Sequence, residues 1–150
     1  MLAINDGDEF EKYYSEIYPS ELELKKENFI NTESSFLELS ISISDHSFHT
    51  KLYDKRDAFG FHISRLPFKN SNIPKRMFYS SACAEVLRIC RATSNLHDTT
   101  ISAKSLISRM HRQGATECTL KSFLTKSLNK HQIAMTKFNI STEALVNEFI

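Results

Sequence analysis

The sequence contains few of the residues that mark specialised protein classes. Glycine and proline occur only three times each in 150 residues, which excludes collagen-like and glycine-rich low-complexity chains. The three cysteines are too few for a disulfide scaffold and odd in number, so we expect a reducing intracellular location, nuclear or cytoplasmic. No run approaches the roughly 20 apolar residues that a membrane-spanning helix needs, and we therefore expect no membrane partner.

Several reactive residue sets found in enzymes are also missing. Three glycines are too few to build the usual glycine-rich phosphate-binding loop, and the chain has no nucleophile elbow. The cysteines at Cys83, Cys90 and Cys118 lack the paired spacing of a zinc site. Cys83 and Cys90 lie seven residues apart on a predicted helix, so we expect both to face the core as small hydrophobic side chains.

Histidines and aspartates near the predicted strands are the remaining candidates for metal binding, since imidazole and carboxylate suit transition metals. The residues concerned are His46, His49 and His62 with Asp45, Asp54 and Asp57. Positions three apart on a strand project to opposite faces, which favours turn and surface histidines. Asp6 and Asp8 could hold magnesium, but their place beside a helix start favours a capping role. We therefore predict no metal site and no cofactor in this chain.

Charge is divided unevenly along the chain, although the net formal charge is only +1. Residues 1–50 carry 3 lysines and 11 acidic residues, whereas residues 51–140 carry 16 lysines and arginines and 5 acidic residues. The net charges of these parts are −8 and +11, and the last ten residues add −2. A basic region of this size favours binding to a polyanion such as nucleic acid. A solvated basic face without a ligand explains the same charge.

The first half of the chain predicts one helix and a small antiparallel sheet. Residues 8–18 have apolar side chains at helical spacing and an acidic capping-box pattern at their start. Residues 37–43 and 48–52 alternate apolar and polar side chains, which is typical of the two half-buried strands of a β-hairpin. The runs at 21–24 and 59–63 indicate a further short strand and an extended segment or third strand.

After a loop bracketed by Pro67 and Pro74, the apolar period changes from two to 3.6 residues. Three basic amphipathic helices are predicted there. Their expected extents are 75–93 for the first, Asp98 or Thr99 to Gly114 for the second, and Thr116 with apolar positions as far as Met135 for the third. The expected fold class is therefore α+β, with an N-terminal helix, a small antiparallel hairpin sheet and a C-terminal three-helix bundle.

The segment at 51–57, Lys-Leu-Tyr-Asp-Lys-Arg-Asp, follows the predicted hairpin and combines three cations, a tyrosine and two acids. Cations hold backbone phosphates, and tyrosine contacts a sugar or a base. A loop in which Asp54 and Asp57 neutralise their neighbouring cations explains the same composition equally well.

Six short strings follow one another in a specific order along the chain. They are YPSELEL at 18–24, FLEL at 36–39, LYDKRD at 52–57, LPF at 66–68, NIP at 72–74 and RICRA at 88–92. In this order and spacing the chain resembles retroelement reverse transcriptases, most nearly the Penelope-like and related eukaryotic retrotransposon polymerases. The resemblance covers about residues 2–140.

This resemblance implies that the chain corresponds to the C-terminal part of an RNA-directed DNA polymerase, beginning just after the catalytic hairpin. Residues 1–67 would be the end of the palm with a primer-grip-like hairpin at 36–53, residues 74–140 a helical thumb-like subdomain, and residues 141–150 a C-terminal tail. The Y-x-D-D motif, whose aspartates bind two magnesium ions in that family, does not occur here. We therefore assign no catalytic residue and expect the chain to be inactive by itself.

The expected partner is an RNA–DNA hybrid or another primed nucleic-acid duplex held by the basic region. The residues assigned to this contact are Lys51, Tyr53, Lys55, Arg56, Lys75, Arg76, Arg88, Arg91, Arg109 and Arg112. Two other functions stay open on the sequence alone. One is a free-standing basic RNA-binding or adapter module, and the other is a retroelement relic without a function of its own. The sequence does not indicate an oligomeric state.

Overall fold

The computed structural model describes residues 12–13, 16–22, 32–61 and 63–150, with the side chains of residues 57 and 58 excepted. Within this part the architecture is α+β, with a three-stranded antiparallel sheet followed by four complete helices. The expected fold class is confirmed. Residues 12–13 and 16–17 are helical, as predicted, and the rest of the N-terminal helix lies outside the described residues. The predicted strand at 21–24 is not strand at its first two residues, and its other two lie outside the description.

The sheet is a meander in which each strand pairs with the next along the chain. Strand β1 is Glu33–Phe36, β2 is Leu39–Ser44 and β3 is Ser47–Leu52, in the order β1-β2-β3. The predicted hairpin is confirmed as β2 and β3, which pair over their full lengths. Strand β1 was not predicted, because its Glu-Ser-Ser-Phe sequence has no apolar alternation. The third-strand alternative for 59–63 is wrong for residues 59–61, which form bends outside the sheet.

Two-residue turns with positive backbone angles join the strands. Asp45 and His46 have φ values of 49° and 60°, the combination that a type I′ turn requires and that suits the twist of paired strands. Leu37 has a φ of 55° and lies in the turn between β1 and β2. We predicted it in a strand from its apolar character, but its side chain is 77% exposed.

Four helices follow the proline-bracketed loop, and the first three begin close to the predicted positions. They are α1 Lys75–Ala92, α2 Leu96–Arg112, α3 Glu117–Lys130 and α4 Thr142–Phe149. Helix α2 begins earlier than expected because Asn95 is the N-cap, where its side chain accepts a hydrogen bond from the backbone N–H of Asp98. Neither Asp98 nor Thr99 caps the helix, since both lie in its first turn.

Gly114 follows α2 with a φ of 96°, as expected for a glycine that ends a helix. Helix α3 stops at Lys130, and two short 3-10 turns replace its predicted continuation towards Met135. The segment at 141–150, expected as a tail, instead contains α4, whose start is capped by the Ser141 side chain. Its buried side chains are Leu145, Val146 and Phe149. Their helical spacing and the preceding serine were the sequence signals for this helix.

The core described by the structure lies entirely within the helical part. Every buried apolar side chain among the described residues lies between Phe78 and Phe149, whereas the sheet contributes only partial burial, mainly through Leu52. Cys83 and Cys90 are buried in this core, as predicted. Burial raises the pKa of each of these two thiols to about 11. In the described part of the chain, no helix has the length and apolar character to cross a membrane.

Strand β3 attaches the sheet to the end of α1. The backbone N–H of Ser94 donates to the carbonyl oxygen of Thr50 over 2.8 Å, and the N–H of Thr50 donates to the Ser94 Oγ over 3.1 Å. After β3, Asp54, Arg56 and residues 63–66 lie beside α1 and α2 and line one cavity with them.

Candidate functional site

The structure divides the ten residues predicted to bind nucleic acid into two groups. Arg56, Arg88 and Arg109 line a cavity and are half-buried. The others are exposed: Lys51, Tyr53, Lys55, Lys75, Arg76, Arg91 and Arg112. The ten residues therefore do not form one cluster, and the two groups have different surroundings.

The cavity has a volume of about 170 Å³ and lies between the loop residues at 54, 56 and 63–66, α1 and α2. Its lining combines an apolar wall with charged and polar groups. The apolar residues are Leu52, Ile63, Leu66, Ile89, Ile101 and Leu106. Apolar walls lower the local dielectric constant, so the charged groups beside them interact more strongly than they would in water.

Arg88 is held by two carboxylates that come from different parts of the chain. Its Nε and Nη2 donate to the Glu85 Oε2 over 3.0 and 2.7 Å, and its Nη1 donates to the Glu38 Oε2 over 2.6 Å. Burial alone would lower the pKa of Arg88, but hydrogen bonds to Glu85 and Glu38 raise it overall. The guanidinium therefore stays charged and links α1 to the turn between β1 and β2.

Asp54 is the second carboxylate of the cavity, and Arg56 is its main partner. The Arg56 Nε donates to the two Asp54 carboxylate oxygens over 2.7 and 2.9 Å, and the Arg56 backbone N–H donates to Asp54 over 3.1 Å. The hydrogen bond from the Arg56 side chain is the largest cause that lowers the pKa of Asp54, from 3.8 to about 2. Two alternatives were open for residues 51–57, a contact with phosphates or a loop whose acids neutralise the neighbouring cations. For Asp54 and Arg56 the structure shows the second.

Arg65 and Gln113 are among the polar residues of the cavity that were not predicted from the sequence. Arg65 lies in the loop, with its Nη2 at 3.7 Å from the Glu85 Oε1. Gln113, at the C-cap of α2, donates from its Nε2 to the Ser64 Oγ over 2.6 Å and to the Leu66 carbonyl oxygen over 3.0 Å. No motif marks either residue, and the position of Gln113 just before Gly114 is the only sequence signal for it.

The exposed group extends over a large part of the helical surface. Lys75 and Arg76 begin α1, and Arg91 lies about 24 Å further along the helix axis at 1.5 Å per residue. Among the described residues, neither Arg91 nor Arg112 has a carboxylate within 4.0 Å. The Arg112 Nη1 donates to the Ser108 Oγ over 3.5 Å. Three lysines of α3 are also exposed, although they were not predicted to bind nucleic acid: Lys121, Lys126 and Lys130.

Metal binding and similarity to known proteins give no further assignment. Within the described ranges, no three His, Cys, Asp or Glu side chains are grouped so that they could hold a metal ion. Comparisons with protein-family models, with curated proteins and with solved structures find no match to this chain. The likeness to retroelement reverse transcriptases therefore depends on the ordered sequence strings alone.

Proposed function

We propose that this chain binds the phosphate backbone of a nucleic-acid duplex, in particular an RNA–DNA hybrid, through the exposed cations of its helices. One observation carries the proposal. Residues 63–150 contain 13 lysines and arginines against 5 acidic residues. Most of these cations are exposed, and within the described part of the chain the exposed ones on α1, α2 and α3 have no carboxylate partner.

The acidic residues of the helices are largely committed to local contacts. Glu85 accepts hydrogen bonds from Arg88, and the Asp98 carboxylate accepts one from the Asn95 side chain. Glu117 lies in the first turn of α3 and Glu143 in the first turn of α4, where a negative charge is stabilised by the helix dipole. The excess positive charge is thus left on the solvent side, where it can replace the counterions that condense on a phosphate backbone.

Resemblance to retroelement reverse transcriptases supports the choice of a hybrid as ligand. The order of a small sheet followed by basic helices is compatible with the primer grip and thumb that the resemblance implies. Because the paired aspartates of the Y-x-D-D motif do not occur in this sequence, the proposal concerns binding and does not include nucleotide transfer.

Fluorescence anisotropy with two unrelated RNA–DNA hybrids and one single-stranded RNA tests this function. The logarithm of the association constant should fall linearly with the logarithm of salt concentration between about 50 and about 200 mM chloride, with similar slopes for both hybrids. Contacts to phosphates carry no sequence information, so the two hybrid affinities should agree.

The alternatives predict other results. Tighter binding to the single-stranded RNA than to either hybrid would favour the free-standing RNA-binding module. Absence of binding at the lowest salt concentration would contradict the proposal and favour the relic. Primer extension above a buffer control, with magnesium or manganese, would contradict the restriction to binding.

A further inference from the structure

Two exposed phenylalanines lie side by side in the segment that follows β3. Phe59 is 52% exposed and Phe61 is 66% exposed. Their ring centroids are 5.5 Å apart and the ring planes are inclined by 46°, a separation at which aromatic rings attract one another. The two rings therefore form one contiguous apolar surface, which we call the Phe59–Phe61 pair. Contiguous exposed apolar surface marks a contact with a ligand more often than scattered side chains do.

Hydrogen bonds hold the backbone that carries the Phe59–Phe61 pair. A 3-10 helix, Lys55–Ala58, precedes the pair, and the Asp54 side chain caps this helix by accepting from the Arg56 backbone N–H. The Phe59 N–H donates to the Arg56 carbonyl oxygen over 3.2 Å. A Cβ placed on Gly60 would have no described atom within 4 Å, so the space beside the backbone between the two rings is open. An anchored turn thus presents the pair to solvent.

The surroundings of the pair are basic. Lys51 and Lys55 are exposed, and neither has a carboxylate within 4.0 Å in the described part of the chain. The Arg109 Nη1 lies 3.7 Å from the Asp54 Oδ2, so the turn also lies beside the end of α2, which carries the exposed Arg112. The pair is therefore close to cations that are available to an anionic ligand.

We propose that the Phe59–Phe61 pair stacks on unpaired bases of a single-stranded overhang, next to the hybrid that the helices hold. Every base has an apolar π face, so stacking on exposed aromatic side chains tolerates any sequence. The neighbouring cations match the phosphates that connect such bases. Bases inside a duplex are already stacked on their neighbours, whereas the bases of a single strand are free to stack on protein side chains. The inference rests on the proposed function and deepens it, because it names a hybrid with an overhang as the ligand.

A second copy of the chain fits this surface less well. The two rings would bury at most about 500 Å², which is less than the roughly 800 Å² per partner of a standard protein–protein interface. The exposed Lys51 and Lys55 beside the rings would also repel the same basic surface on another copy. Single-stranded nucleic acid supplies both the flat apolar faces and the negative charge that this surface lacks.

Fluorescence anisotropy with three hybrids of equal duplex length tests the inference. The first is blunt, the second has an RNA overhang of about four nucleotides, and the third has the same overhang with abasic sites, which keep the phosphates but remove the bases. We expect the intact overhang to bind about tenfold more tightly than the abasic one. This ratio should stay similar as salt is raised, because stacking releases no counterions, while all three affinities fall.

Variants of the two rings connect this advantage to the Phe59–Phe61 pair. Phe59→Ala with Phe61→Ala should bring the intact and abasic overhangs within about twofold of each other, whereas Phe59→Tyr with Phe61→Tyr keeps both rings and should retain the advantage. Phe48→Ala is the matched control, because Phe48 is 68% exposed and lies near the opposite end of β3. It should leave the advantage unchanged.

Three results would overturn this inference without affecting the proposed function. They are equal binding of the intact and abasic overhangs alongside binding of the blunt hybrid, an advantage that persists in the double alanine variant, and an equal loss of affinity for the blunt hybrid in that variant. A dimer in sedimentation velocity that the double alanine variant dissociates would assign the rings to a second copy and would also overturn it. Absence of binding to all three hybrids would overturn the inference together with the proposed function.

Discussion

On each of the first two helices, an arginine in the cavity is followed three residues later by an arginine in solvent. On α1 these are Arg88 and Arg91, and on α2 they are Arg109 and Arg112. The cavity arginines face carboxylates at Glu85, Glu38 and Asp54, whereas Arg91 and Arg112 have no carboxylate partner among the described residues. Cations of one type, one helical turn apart, thus differ in what they are free to bind.

This contrast shows that the count of basic residues overstates the charge available to a ligand. Arg88 is paired with Glu38, which lies 50 residues earlier in the sequence. Arg109 lies near Asp54, which is also distant along the chain. Long-range carboxylates therefore take part in deciding which cations of a helix are committed to the fold. A pattern read along one helix shows the Glu85–Arg88 pair but not the contacts with Glu38 and Asp54.

The largest expected effect concerns the stability of the fold. Arg88→Ala should reduce the free energy of unfolding by about 2 kcal/mol, because it leaves the partly buried Glu85 without its hydrogen bonds. Arg91→Ala should change the stability by less than about 0.5 kcal/mol, as is usual for an exposed residue without partners. Urea unfolding followed by circular dichroism measures both, and equal losses for the two variants would remove the distinction between the groups.

The acid sensitivity of Asp54 gives the next largest effect. The pKa of Asp54 is lowered to about 2 in the fold, so its carboxylate stabilises the protein above about pH 4 and loses that contribution as the pH falls through 2. We expect Asp54→Asn to be less stable than the unsubstituted protein by about 1–2 kcal/mol at neutral pH, with the difference shrinking on acidification.

Urea midpoints of both proteins between about pH 2 and about pH 7 provide the measurement for Asp54. A difference that stays constant over this range would mean that Asp54 is not held in its ionised form by Arg56 and Arg109. Arg109 would then lack the committed partner that separates it from Arg112.

Gly114 follows the last turn of α2, which carries Arg109 and Arg112. Its replacement should reduce the stability of the protein by less than the Arg88 variant does. The Gly114 φ of 96° is unfavourable for a residue with a Cβ, and an added Cβ would lie 3.4 Å from the Cβ of Lys69. Gly114→Ala should therefore destabilise the protein by about 1 kcal/mol. Thermal unfolding checks this, with Ser108→Ala on the exposed side of the same helix as the control. Equal stability of the two variants would show that the end of α2 tolerates a different backbone conformation.

Much of the fold could be predicted because it depends on local patterns. The alternation at residues 39–43, the 3.6-residue period of the three long helices and the terminating Gly114 all depend on neighbours in sequence. The prediction failed at positions where contacts with distant residues determine the local structure. Leu37 is apolar but lies in a turn, and strand β1 has no pattern of its own and forms because β2 offers an edge to pair with.

The candidate site was far less predictable than the fold. Composition identified the basic region, and seven of its ten selected residues are exposed in the structure. The cavity could not be predicted, because residues that line it come from the loop at 54, 56 and 63–66 and from two helices, which are distant along the chain. Gln113 and Arg65 belong to no motif, and only the folded arrangement shows that one donates hydrogen bonds to the loop and the other lies 3.7 Å from Glu85.

The salt dependence of hybrid binding by two double variants tests the central claim most directly. One variant is Arg91→Ala with Arg112→Ala, and the other is Arg88→Ala with Arg109→Ala, both compared at a temperature where circular dichroism shows them folded. If the exposed cations contact phosphates, the first variant should reduce the slope of log K against log salt by about two, and the second should leave it unchanged. An unchanged slope for the first variant, or an equal reduction for both, would contradict the account.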